Sequence, residues 1–160
     1  MNRDRVNAAR ASLPLPRLLV SMLTSGLWRH PGDDVLQNVA PFIRDPLVFP
    51  GSLDLMLFNS GPLSFDGQSE CEAFHEYLGS KVEERDLPWI DIEKTIYIAY
   101  NKWPGDDVGI ALDFRPGLDC PRIVGGDWHS GNGLKHRLIS RSFDDFTKLI
   151  GIANDCEDRG

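Results

Sequence analysis

The sequence predicts an α+β fold: a central antiparallel β-sheet over residues ~94–140, packed against N-terminal helices and one C-terminal helix. Two runs, Lys94–Asn101 and Val108–Phe114, alternate β-branched and aromatic residues with period two, which is typical of half-buried strands. Before these runs, and again after residue 141, apolar residues recur at the spacing of an amphipathic helix. Because the strands follow one another without intervening helices, segregated elements are favoured over βαβ units.

Turn sequences separate four predicted strands. Pro104-Gly105 suits the central positions of a type II turn, since Pro presets φ and Gly accepts a positive φ. A third strand is predicted over Arg122–Trp128. A fourth, Lys135–Ser140, follows Asn132-Gly133, a dipeptide favoured in hairpins. Together these segments predict an antiparallel meander.

Two amphipathic helices are predicted near the N-terminus. The first has Pro16 near its start and Gly26 near its end, and its apolar stripe consists of Leu15, Leu18, Leu19, Met22 and Leu23. The second carries Val35, Leu36 and Val39, can be capped by Asp33 or Asp34, and is kinked or ended by Pro41.

Three further helices are predicted along the chain. A short one is indicated by Leu53, Met56 and Leu57, after which Ser60–Ser69 has the composition of a loop. Another follows Ser69-Glu70-Cys71-Glu72, which has the form of a capping box. The last begins at a similar box at Ser142, and its expected core stripe is Phe143, Phe146, Leu149 and Ile150.

The length of 160 residues predicts one domain, which we place at residues 13–153. Residues 1–12 are expected to form a flexible basic arm, and residues 154–160 to be frayed. No apolar run approaches the roughly 20 residues needed to cross a bilayer. Three widely spaced cysteines, Cys71, Cys120 and Cys156, match no disulfide framework or zinc site and favour a reducing cytoplasm.

The net charge of −7 is unevenly distributed. Residues 31–93 carry three basic and thirteen acidic side chains, a balance of −10, whereas the N-terminal thirty residues are basic. This acidic middle would repel nucleic acid and attract a basic protein partner, although it also serves solubility. Candidate contacts within it are Glu70, Glu72 and Glu76.

Trp103 is the tryptophan expected to be exposed, because hairpin tips seldom bury a whole indole. Asp106 and Asp107 follow it in the same turn. An exposed tryptophan beside two carboxylates is a candidate anchor for a basic partner. Trp128, at a strand end, is expected in the core.

The carboxylates of the sheet offer an alternative chemistry, that of a metal-dependent hydrolase using Asp106, Asp107, Asp113, Asp127 and His129. Asp127 and His129 are two residues apart on a predicted strand and so share a face. Nothing in the spacing makes the set converge, and the plainer interpretation has Asp113 bonding to backbone or basic neighbours. No nucleophile elbow or phosphate loop is present. We therefore expect no catalytic, metal or cofactor site, and expect His30, His75 and His136 at the surface or core edge.

Three segments carry a family resemblance. Leu87–Lys94, Ile96–Ala99 and Pro104–Arg115 together resemble the SUKH superfamily, which includes Smi/Knr-type cell-wall regulators and many bacterial immunity proteins. The similarity continues through Pro121–Trp128 and into the closing helix from Ser142.

The resemblance implies a non-enzymatic domain that binds another protein. In bacterial members the role is typically to neutralise a toxin, often a nuclease, and the family pattern contains no catalytic residues to carry over. The alternative within the same resemblance is a regulator or scaffold without a toxin partner.

Overall fold

The structure is a computed structural model that describes residues 3–65, 91–103, 108–127 and 135–152. The helices in these ranges are α1 (Arg3–Ala11), α2 (Arg17–Ser25), α3 (Asp33–Val39), α4 (Leu53–Phe65) and α5 (Phe143–Leu149). The strands are β1 (Leu47–Val48), β2 (Thr95–Asn101), β3 (Gly109–Asp113), β4 (Arg122–Asp127) and β5 (Lys135–Ser140), and a 3₁₀ turn (Ile92–Lys94) leads into β2. The strands form one antiparallel sheet in chain order, so the predicted α+β class is confirmed.

The central strands are buried on both faces, so the expectation of half-buried strands was wrong. Ile96 and Ile98 belong to the main core. Tyr97 lies opposite Ala111, which lies opposite Val124, and these three form a second buried cluster. Because neighbours across a sheet share a face, this second cluster lies on the opposite side from Ile96.

Trp28 is buried in the main core, where its indole packs against three phenylalanine rings. Its ring centroid lies 4.9 Å from that of Phe49, 5.6 Å from Phe143 and 6.5 Å from Phe146. The indole N–H donates to the carbonyl of Ile98 at 3.3 Å. One side chain thus joins the loop after α2 to β2 and α5, with its polar atom satisfied.

The two predicted amphipathic helices are present. α2 has Pro16 as its N-cap and Gly26, at φ 73°, as its C-cap. The cap of α3 was assigned wrongly: it is Gly32, at φ 110°, and Asp33 is the first helical residue. Glycine suits this position because it adopts a positive φ without strain. Asp33 and Asp34 lie in the first turn, where their negative charges stabilise the helix through its dipole.

Residues 3–11 differ from the flexible arm expected over residues 1–12, because they form α1. Arg10 in this helix is 1% exposed. α1 packs against α4 and the 3₁₀ turn. An arginine can cover apolar surface with its stem, so a basic segment need not be a solvated one.

α4 is longer than predicted and runs to Phe65, so the loop expected from Ser60 was wrong over its first six residues. The Ser60 hydroxyl donates to the carbonyl of Met56 at 2.7 Å and accepts the N–H of Tyr97 at 2.9 Å. The Ser60 hydroxyl therefore satisfies a backbone N–H of β2 that has no partner in β1, because β1 pairs only with Tyr100 and Asn101. The rest of the predicted loop and the helix expected after Ser69 lie outside the described residues.

α5 begins as predicted, with the Ser142 hydroxyl accepting the N–H of Asp145 at 3.1 Å. The expected core position at Leu149 was wrong, since that side chain is 52% exposed. Thr147 is buried instead. None of the helices in the described ranges has the length and apolar character to cross a membrane.

Gly125 in β4 marks a close approach between elements. A Cβ at this position would lie 2.9 Å from Cδ1 of Ile139 and 2.9 Å from Cε2 of Phe42. The absence of a Cβ at Gly125 therefore allows β4 to pack closely against Ile139 and Phe42. This packing role agrees with the absence of a phosphate-loop pattern around the glycine.

Candidate partner-binding surface

Trp103 lies just beyond β2 and is 57% exposed, as predicted. Its backbone is held in place: the N–H donates to Oδ1 of Asn101 at 2.9 Å. Asn101 is itself buried at the end of β2. A large aromatic side chain is therefore presented to solvent from an ordered backbone.

Asn101 is fixed from several directions. Its Nδ2 donates to Oδ2 of Asp45 at 3.2 Å, and its backbone N–H donates to the carbonyl of Val108 at 2.9 Å. The next residue, Lys102, donates its N–H to the carbonyl of Pro46 at 2.8 Å. Contacts from the residue before β3 and from the segment before β1 thus hold the backbone next to Trp103, so little backbone entropy remains to be lost when a partner binds there.

A cleft of about 160 Å³ lies beside this support. It shares Asp45 and Pro46 with the contacts of Asn101 and Lys102. Its apolar lining is Leu36, Ile43 and Leu47, and its charged lining is Asp33, Arg44 and Asp45. The lining thus combines apolar side chains with two carboxylates and one guanidinium.

His30 helps to place one of the carboxylates that line the cleft. The N–H of Gly32 donates to Nδ1 of His30 at 3.0 Å, so Nδ1 is the acceptor nitrogen. The other ring nitrogen, Nε2, lies 3.4 Å from Oδ1 of Asp33 and can donate to it. The imidazole bridges the segment before α3 and the first turn of that helix. His30 is exposed, as expected.

The structure therefore tests only part of the predicted contact set. Trp103 is exposed as predicted, whereas the other predicted contacts lie outside the described residues: Glu70, Glu72, Glu76, Asp106 and Asp107. Asp33 and Asp45, which line the cleft, were not among the predicted contacts. The link from Asp45 to Asn101 spans 56 positions in the chain, and no local pattern indicates it.

Asp113 lies in a buried ionic cluster. Its Oδ1 accepts from Nε of Arg115 at 2.8 Å, and its Oδ2 accepts from Nη2 of Arg115 at 2.7 Å and from Nε of Arg122 at 2.8 Å. Burial alone would raise the pKa of Asp113, but the hydrogen bond and charge of Arg115 and the charge of Arg122 outweigh it and lower that pKa. The carboxylate is therefore charged at neutral pH and occupied by its two arginines.

This arrangement confirms the plainer interpretation of Asp113, which bonds to basic neighbours. Asp113 pairs in register with Arg122 at one end of β4, and Asp127 lies at the other end of that strand. The five residue steps from Arg122 to Asp127 span roughly 17 Å along the strand. Asp113 and Asp127 are thus not neighbours, while His129, Asp106 and Asp107 lie outside the described residues.

His136 was expected at the surface or core edge, and that expectation was wrong. It is 1% exposed, and its Nε2 lies 3.4 Å from the hydroxyl of Tyr97. Burial and the positive charge of Arg115 lower the pKa of His136 to about 3, although the charge of Asp113 acts in the opposite direction. The imidazole is therefore neutral inside the folded protein.

No group of three or more His, Cys, Asp or Glu side chains that could hold a metal ion occurs within the described ranges. Cys120, the one cysteine in those ranges, is exposed and free. Comparison with protein-family models, with curated proteins and with solved structures found no match to this chain. The SUKH resemblance therefore stays a prediction.

Proposed function

We propose that this chain is a non-enzymatic protein-binding domain of the SUKH type, an immunity protein that neutralises a basic nuclease toxin by binding it directly in the cytoplasm. The observation that carries the proposal is the exposed Trp103 on a backbone held by Asn101. Tryptophans of this kind are enriched among the residues that dominate binding energy.

Charge supports the same proposal. Residues 31–93 have a balance of −10, and Asp33 and Asp45, which line the cleft, belong to that segment. An acidic surface accelerates encounter with a basic partner and disfavours acidic ones. A basic partner is also what a nuclease would present, because an enzyme that binds nucleic acid carries a positive surface.

The test is co-expression with a toxin encoded beside the gene for this chain, followed by measurement of growth and of binding affinity. Trp103→Ala is expected to weaken binding by about 30-fold or more, since a dominant anchor contributes about 2 kcal/mol or more. Leu118→Ala is the matched control: Leu118 is 53% exposed in the β3–β4 connection, away from the cleft, and its loss should leave protection unchanged.

Two outcomes would count against the proposal. Equal protection by the wild type and Trp103→Ala would refute the role of Trp103 as an anchor. Failure of the wild type to bind any neighbouring toxin would refute the immunity role. A regulator or scaffold would bind a protein through Trp103 without conferring protection, so measuring both growth and affinity separates these cases.

A further inference from the structure

We infer that the cleft lined by Asp45 and Pro46 receives one arginine side chain of the binding partner, with Asp45 as its carboxylate acceptor. The inference rests on the proposed function, since it names the chemistry by which a protein partner is recognised at this surface. It adds a second point of contact to Trp103, and the two points are structurally linked.

Asn101 is the link between them. Its side-chain oxygen accepts the N–H of Trp103 at 2.9 Å, while its side-chain nitrogen donates to Oδ2 of Asp45 at 3.2 Å. One amide thus fixes both the backbone of the aromatic anchor and the orientation of the carboxylate. Asn101 therefore fixes the position of the Asp45 carboxylate relative to the backbone of Trp103.

The cleft matches the two parts of an arginine side chain. Its volume of about 160 Å³ suits a single long side chain rather than a larger ligand. Leu36, Ile43 and Leu47 offer an apolar wall to the aliphatic stem. The carboxylates of Asp33 and Asp45 in the lining suit the guanidinium, whose planar donors match a carboxylate better than the compact ammonium of lysine does.

Arg44 lines the same cleft and opposes the inference in part, because its positive charge repels an incoming cation. The test can therefore include two variants with opposite expected effects on affinity. Removing the charge of Arg44 should strengthen binding of an arginine side chain, whereas removing that of Asp45 should weaken it.

The probe is the blocked tripeptide acetyl-Gly-Arg-Gly-amide, titrated into the full chain at low salt and followed by NMR. The control is the same peptide with citrulline, which keeps the shape of arginine and lacks its charge. Saturable shifts are expected at the Asn101 side-chain amide and the backbone N–H of Trp103 with the arginine peptide, and much smaller ones with the citrulline peptide. Added salt should weaken the binding, since the cleft is partly exposed.

Two conservative variants complete the design. Asp45→Asn keeps the size of the side chain and should weaken the arginine peptide about tenfold or more, as expected for loss of a charge-assisted hydrogen bond. Arg44→Gln should tighten it. Equal binding of the two peptides, unchanged affinity in Asp45→Asn, absence of saturable binding, or shifts located away from the cleft would each overturn the inference.

These results are distinguishable from a failure of the proposed function. Protection against a toxin by a chain whose cleft ignores the arginine peptide would overturn the cleft inference alone. Binding of the peptide by a chain that protects against no toxin would overturn the immunity role and leave the cleft as an arginine-binding site.

Discussion

Replacing His136 by glutamine should reduce the dependence of folding stability on pH. His136 is buried beside Tyr97 and Arg115, and its pKa falls from 6.5 in the unfolded chain to about 3 in the folded protein. As pH falls below 6.5, the unfolded chain binds a proton that the folded protein does not accept. The stabilisation is therefore complete above that pH and is lost progressively toward about pH 3.

The magnitude follows from one proton and the span of pH. Each unit below 6.5 removes about 1.4 kcal/mol from the free energy of unfolding, so acidification to about pH 5 removes about 2 kcal/mol. Because pH 5 lies above the folded pKa, this loss depends on the unfolded pKa alone. It is a large share of the 5–15 kcal/mol typical of a domain.

The assay is urea unfolding at several pH values between about 5 and 7.5, for the wild type and His136→Gln. The difference in slope between them isolates this residue, since all other groups titrate in both proteins. Tyr97→Phe is the control, because it removes the neighbouring hydroxyl and keeps the histidine, so its slope should match the wild type. Identical slopes for the wild type and His136→Gln would refute the buried neutral imidazole.

Three further substitutions test the packing and polar contacts. Asp113→Asn should cost about 3–5 kcal/mol by urea unfolding, because two buried arginines lose their carboxylate, and a loss below about 1 kcal/mol would contradict that cluster. Gly125→Ala should cost about 1–3 kcal/mol by overpacking and lower the melting temperature. Gly117→Ala is the control and should leave the melting temperature unchanged, because a Cβ added there has nothing within 4 Å. Equal melting temperatures for the two variants would contradict the contacts at Gly125. Ser142→Ala should cost about 1 kcal/mol by loss of the α5 cap, and an unchanged free energy of unfolding would contradict the Ser142–Asp145 hydrogen bond.

The strands were predictable because their signal is local. β2 to β5 follow from alternation and turn dipeptides, whereas β1 has two residues and is too short to alternate. The sequence also contained a signal for burial on both faces. Ile96–Tyr100 is apolar or aromatic at every position, which is typical of a strand covered on both sides, but the alternating pattern favoured the half-buried interpretation.

The helix boundaries show where local propensity ends. Gly61 and Pro62 disfavour a helix interior, yet α4 continues through them to Phe65. Contacts with β2, including the Ser60 hydroxyl on the N–H of Tyr97, supply stabilisation that no window of sequence contains.

The candidate surface was predictable only at its exposed anchor. The exposure of Trp103 follows from its place before the turn that the sequence predicts at Pro104-Gly105. The hydrogen bond between Asn101 and Asp45, and the approach of Arg115 and Arg122 to Asp113, depend on strand register and on chain segments distant in sequence. Such contacts are properties of the assembled sheet, so residue patterns alone do not specify them.

The hydrogen bond from Tyr97 to Ser60 has a consequence for how this chain would misassemble. An uncovered strand edge is a template on which another chain can add a strand, and α4 occupies that edge of β2 where β1 ends. A substitution that detaches α4 would expose backbone donors and acceptors while the rest of the sheet persists. Such variants are expected to aggregate through β2 before they unfold, so their defect would appear as lost solubility.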